Sequence, residues 1–255
     1  MRQDRNREAI EALKRCDGGS AGRALLARLE KGQKDESGMT ERRISHFQVR
    51  YDGGEHEAIG REVLRVLERD YATLAGTMDD EPRVAIPVIL FSEAQYYDAS
   101  GAPAWSGGSY DHTDGRIRVP IGGLSPGLSA EVESTLLHEL THAFITDKSE
   151  GVAPREIQEG LAQYMEGKRI ESSLPAEGRA ALARGSIEGV GGFYLQALSM
   201  VEYLMAVRGQ GGMNDLLKAM AQTHSVDQAF QQVHGQSYAA VQKAWRQRLQ
   251  QQYGG

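Results

Sequence analysis

Apolar and polar residues alternate over residues 44–51, where Phe47, Val49 and Tyr51 share one face, and this period of two predicts a strand. The period then changes to that of a helix. Ile59, Val63, Val66, Leu67, Tyr71 and Leu74 recur at helical spacing across residues 55–75, with the charges between them forming a solvated face. Residues 84–91 are almost continuously apolar and predict a buried strand, and Pro87 inside it argues for an edge position or a bulge. Residues 105–123 read as a hairpin, with Gly107 and Gly108 near its start, a turn at 111–115 and a strand at 116–121. A helix is expected from a cap at Ser129 to about residue 144 or 145, burying Val132, Leu136, Leu140 and Ala143. Downstream the pattern is helical throughout. An apolar helix spans 187–207 and is closed by the glycine-bearing run 208–212; shorter helices follow at 214–222, 226–233 and 238–250, the last two capped by Ser225 and Ser237.

Upstream of the first strand, residues 4–31 form a charged amphipathic helix or helix pair broken at 17–20, and residues 32–42 read as a polar linker. The expected organisation is therefore an N-terminal extension and linker over 1–42, followed by an α+β domain over 43–255. In that domain a small mixed-sheet lobe (43–146) ending in the 129–145 helix precedes a helical C-terminal lobe (147–255).

Composition narrows the function classes. The 255 residues, 40% of them hydrophobic, suffice for a sizeable core. A net charge of −6, with no basic stripe carrying interleaved aromatics, argues against a nucleic-acid partner. The single cysteine, Cys16, excludes an intrachain disulfide framework and any metal site built from several thiolates. No stretch reads as a membrane span, and the N-terminus shows no apolar signal region, so the chain as written reads as soluble and unexported.

Against this background one pentapeptide carries chemistry. His138-Glu139-Leu140-Thr141-His142 places two imidazoles at i and i+4 of a predicted helix, one turn apart on one face, where both can reach a single ion. Glu139 is rotated about 100° from His138, which sets its carboxylate beside such an ion rather than on it. That is the place of a general base. A hydrolytic zinc usually has three protein ligands and one open position. Pro154 opens a second helix with acidic residues in its first turn, and Glu159 stands in it beside Gly160 and Ala162, small residues that would permit a close helix approach. Glu159 is the favoured third ligand, with Glu156 one turn earlier as its rival. His112 reads as a solvated turn residue rather than a further ligand, and His46, His56, His224 and His234 as structural or surface residues.

Residues 137–144 (Leu-His-Glu-Leu-Thr-His-Ala-Phe) and 159–164 (Glu-Gly-Leu-Ala-Gln-Tyr) resemble the zinc motifs of the gluzincin metallopeptidases, and within them the peptidase MA-like domain. Softer similarity at 46–54, 104–108 and 116–120 extends the resemblance over about residues 44–250. It implies a thermolysin-like architecture, a Zn²⁺ ion held by His138, His142 and Glu159, Glu139 as general base, and a peptide or protein substrate. The resemblance further implies an oxyanion-stabilising Tyr or His from outside the two motif helices. Tyr194 is chosen, since a tyrosine recurs there in similar proteins; Tyr203, His224 and His234 are the alternatives. Similar proteins often carry an export or lipidation signal, which leaves the compartment open. Two other classes compete: a latent or non-catalytic zinc-binding module whose cleft the N-terminal segment closes, and a zinc hydrolase acting on a non-peptide amide.

Overall fold

Among the described residues five strands, β1 (Thr40–Ile44), β2 (Phe47–Tyr51), β3 (Ile86–Phe91), β4 (Ser109–Asp111) and β5 (Arg116–Pro120), form a mixed sheet in the order β1-β2-β3-β5-β4. The computed structural model describes residues 6–16, 18–51, 57–91, 96, 107–121 and 127–254. His56, Trp105 and parts of the 46–54 and 104–108 segments fall outside them. Strands β1 and β2 make an antiparallel hairpin turning at Ser45-His46, with Ser45 in the left-handed region at φ 42°. Strand β3 runs parallel to both β2 and β5, and β4 closes a second hairpin onto β5.

Pro87 does not make β3 an edge; the strand is central and buried along its whole length. The reason lies in the alternation of donors. Ile86 donates its N–H to His46 on the β2 side, so Pro87 faces the β5 side, where pairing begins only at Val88 with Ile117. The missing N–H therefore falls outside the ladder.

The chain divides into two compact units, residues 1–71 with 82–140 and residues 72–81 with 141–255, and the division runs through two helices, α3 (Glu57–Met78) and α4 (Ala130–Lys148). The first unit holds the sheet, α1 (Asn6–Arg15) and α2 (Gly19–Glu36). Described residues from 6 to 42 cluster with the sheet in this first unit. The segment expected to be a linker contains the end of α2 and most of β1. In this unit Phe47, Val49, Val63, Val66 and Leu67 are fully buried, and Phe47 meets Tyr71 edge-on at 6.0 Å. His46 stacks on Tyr71 at 3.8 Å with Nδ1 2.7 Å from Glu68 Oε2, a structural role.

The second unit is helical: α5 (Arg155–Met165), α6 (Ile170–Ser173), α7 (Ala176–Ala183), α8 (Gly189–Thr223), α9 (Val226–His234) and α10 (Tyr238–Tyr253). Helices α6 and α7 were not anticipated. The helices expected at 187–207 and 214–222 both lie in α8, which breaks between them at Gly209, whose φ of 65° and ψ of −170° no helix accommodates. By length and composition alone α8 could cross a membrane, but Ala197, Met200, Val201 and Leu204 on it are buried against protein. Ser225 and Ser237 cap α9 and α10 by accepting from the N–H groups of Gln228 and Ala240.

Candidate metal centre

Helix α4 begins where Ser129 accepts the Val132 N–H at 3.3 Å, and Glu131 and Glu133 place negative charge at its positive end. Its core stripe is Leu136, Leu140 and Ala143, with Phe144 and Ile145 also buried, whereas Val132 is only half-buried. His138 and His142 stand one turn apart on this uninterrupted helix. After a turn through Glu150 (φ 51°) and Gly151 (φ 76°), Pro154 caps α5 in extended conformation and its carbonyl accepts from Ile157 and Gln158. Glu159 follows one turn into α5.

Ligand atoms of His138, His142 and Glu159 all lie within 4.8 Å of one another. The His142 Nε2 to Glu159 Oε2 distance is 3.6 Å. Four ligands around zinc at 2.0–2.1 Å stand about 3.3 Å apart in a tetrahedron, so the His142–Glu159 pair is already near that spacing and the set as a whole would close by at most about 1.5 Å around such an ion. Two neutral imidazoles and a carboxylate are also the donor types that hydrolytic zinc takes. His142 and Glu159 are buried and His138 is half-buried.

Glu156, the rival ligand, is excluded from this cluster. Its carboxylate accepts the Tyr238 hydroxyl at 2.6 Å, and burial together with this bond holds the Tyr238 hydroxyl protonated far above its ordinary range. The close approach expected of Gly160 is real but has another partner. A methyl at Gly160 would lie 2.2 Å from the Ala197 carbonyl oxygen, so the glycine seats α5 against α8 and not against α4.

A second ring of contacts was not legible in the sequence. Gln158 Oε1 lies 3.2 Å from His142 Nδ1, while its Nε2 donates to Thr146 Oγ1 at 3.2 Å. With its amide so oriented, Gln158 accepts a hydrogen bond from Nδ1–H, the tautomer that leaves the Nε2 lone pair of His142 for an ion. Gln163 ties the backbone together, donating to the carbonyls of Glu159 and Tyr194, both at 3.0 Å. A buried glutamine beside a ligand has no periodic signature; only its contiguity with Glu159 hinted at it. Tyr194 itself sits near the start of α8, half-buried, its ring edge-on to Phe193 at 5.8 Å. His112 is exposed on its turn, His224 is the exposed left-handed cap of α8, and His234 stacks on Phe230 at 5.4 Å. Burial and the nearby Arg208 charge push the His234 imidazole below its ordinary range.

Glu139 is 8% exposed. Gly108, just before β4, lies against it: a methyl there would meet the Glu139 Cγ at 3.3 Å and Thr135 Cγ2 at 3.2 Å.

A family model described as BSP, peptidase of plants and bacteria, matches residues 120–247, half of the 255-residue chain. The chain belongs to this family. The matched segment takes in α4, α5 and α8, and so all three clustered side chains, while β1 to β4 of the sheet precede it. Membership in the BSP family makes this a peptidase-family chain and supports hydrolase chemistry. No curated protein matches the chain.

Proposed function

We propose that this BSP-family chain is a zinc-dependent metallopeptidase of the gluzincin kind, with a thermolysin-like arrangement of sheet, motif helix and helical lobe. The convergence of His138, His142 and Glu159 within 4.8 Å carries the reading, because peptidase-family membership and a hydrolytic zinc donor set then coincide on the same residues.

His138 and His142 would hold the ion through imidazole nitrogens and Glu159 through a carboxylate oxygen. When bound, zinc supplies Lewis acidity, lowering the pKa of water toward about 7 and polarising a carbonyl oxygen. Gln158 keeps His142 in the tautomer that can ligate. Glu139, adjacent in sequence to a ligand yet turned off the ligand axis, takes the proton of the attacking water on its carboxylate and hands it to the leaving nitrogen. The low exposure of Glu139 strengthens its charge interactions with the reacting atoms. Tyr194 is assigned as donor to the oxyanion, supported by the bond that ties its backbone through Gln163 to Glu159. Strand β4 lies at one edge of the sheet, and an extended substrate peptide would add to it by main-chain hydrogen bonds.

Casein cleavage by the wild type and by Glu139→Gln, each with and without a chelator, tests the proposal. Chelator-sensitive cleavage that Glu139→Gln loses by several orders of magnitude is expected. Cleavage retained by Glu139→Gln would overturn the role given to that residue; cleavage indifferent to chelator would overturn the role of the metal.

A further inference from the structure

Strand β5 reads Arg-Ile-Arg-Val, and simple alternation would turn both arginines to water. They are instead 2% and 7% exposed. The charges that make this tolerable come from elsewhere in the chain. Arg116 Nη1 donates to Glu36 Oε1 at 2.8 Å, and Arg50 donates to the other oxygen of the same carboxylate at 2.6 Å. Arg118 pairs with Asp114 at 2.5 Å and with Asp111 at 3.3 Å, and Asp111 also receives Arg28. The Asn6 amide, with its oxygen toward the guanidinium, accepts from Arg116 at 2.6 Å. Glu36 and Arg28 belong to α2 and Asn6 to α1, whereas Asp111 and Asp114 belong to the β4–β5 hairpin. Helix α2 is thus fastened to that hairpin by a buried ion pair through Glu36 and a more exposed one through Arg28, and α1 adds the Asn6 hydrogen bond.

The hairpin is the element that reaches Glu139. Gly108 enters β4, packs on the Cγ of Glu139, and lies close to the Arg118 carbonyl, the main chain of the very residue whose side chain the network holds. Where β5 sits therefore sets where Gly108 sits, and Gly108 is one wall of the Glu139 side chain.

We infer that α1–α2 is a built-in clamp of the hydrolytic site, in which Glu36 is a positioning residue that holds the β4–β5 hairpin against Glu139. The inference rests on the peptidase reading for the role of Glu139, but the mechanical claim stands apart from it. It also opposes the latent-precursor alternative, in which the N-terminal segment blocks the cleft: here the same helices support the site. Buried pairs that lose one partner leave an uncompensated charge, so neutralising Glu36 should loosen the hairpin rather than relieve it.

The test is hydrogen exchange on the whole 255-residue chain, metal-free, read separately for residues 109–120 and for α8, in wild type, Glu36→Gln, Glu36→Asp and Arg28→Ala. Zinc content and casein turnover are measured on the same set. Glu36→Gln should speed hairpin exchange about tenfold more than α8 exchange and lower kcat about tenfold with zinc content unchanged. Glu36→Asp, which keeps the charge, should recover most of both losses, and Arg28→Ala, removing a more exposed partner, should move both in the same direction by less. Equal acceleration in hairpin and α8, no acceleration in the hairpin, or a rise in turnover would each overturn the clamp. Should Glu36→Gln fail to fold, Arg28→Ala decides by the same comparison. If the wild type cleaves nothing, the peptidase reading fails, and the exchange comparison still decides whether α2 holds the hairpin.

Discussion

Gly160→Ala is the sharpest single perturbation of the frame that carries Glu159. The added methyl would stand 2.2 Å from the Ala197 carbonyl oxygen, 2.7 Å from its carbon and 2.7 Å from Val201 Cγ2. Ordinary carbon–oxygen contact is about 3.3 Å, so α5 and α8 must part by about 1 Å, and the obstacle is backbone that no rotamer change can move. Overpacking of this kind costs about 1–3 kcal/mol, and the position belongs at the upper end. Alanine regains about 1 kcal/mol of helix propensity over glycine. The net loss is about 2 kcal/mol, or about 4–8 °C in Tm for a chain of this size. The same displacement moves the neighbouring Glu159, and ligand distances tolerate only about 0.2 Å, so zinc affinity should fall about tenfold or more. Thermal unfolding of the metal-free protein and zinc titration against a competing chelator measure the two effects. A variant with wild-type Tm and wild-type zinc affinity would refute the packing argument.

Gln158→Leu preserves bulk but removes the acceptor on His142 Nδ1, and should weaken zinc about 10–100-fold in the same chelator competition; unchanged affinity would show that His142 orients without it. Tyr238→Phe strips the donor from Glu156 and should cost about 1–3 kcal/mol in urea unfolding while zinc stoichiometry stays at the wild-type level; lost zinc would return Glu156 to the ligand set. Glu202 accepts the Ile170 N–H at 2.9 Å, and burial raises its carboxyl above the ordinary value near 4.5. A raised acid contributes stability that is full below the unfolded value and lost as pH rises through the folded one. Glu202→Gln keeps the acceptor and cannot ionise, so its Tm relative to wild type should improve between pH 4 and pH 7; a pH-independent difference would contradict the assignment.

The helical periodicity of 55–75 and 129–145 was legible because each helix buries one face against its own neighbours, and a repeat of 3.6 survives in the sequence. The pairing of His138 and His142 on α4 was legible for the same reason: spacing within one helix is a local property. Glu159 against Glu156 was only half legible, since the decision depends on Tyr238, eighty-two residues away, which claims Glu156. The burial of the β5 arginines left no mark in the sequence. Alternation marks Arg116 and Arg118 as a wet face, and the Glu36 carboxylate that buries Arg116 lies eighty positions upstream. Gln158 and Gly108 act by contact alone, one on an imidazole and one on a carboxylate chain, and neither contact has a period. Pro87 shows a complementary failure: the rule that sends proline to sheet edges concerns donors, and β3 turns this one away from any ladder partner.

Metal content of the wild type and Glu159→Ala, purified and measured in parallel by elemental analysis, tests the central claim most directly. One zinc per wild-type chain, lost or greatly reduced in Glu159→Ala, is the predicted result. Full zinc in Glu159→Ala, or none in the wild type after equilibration with the ion, would contradict a centre built from His138, His142 and Glu159.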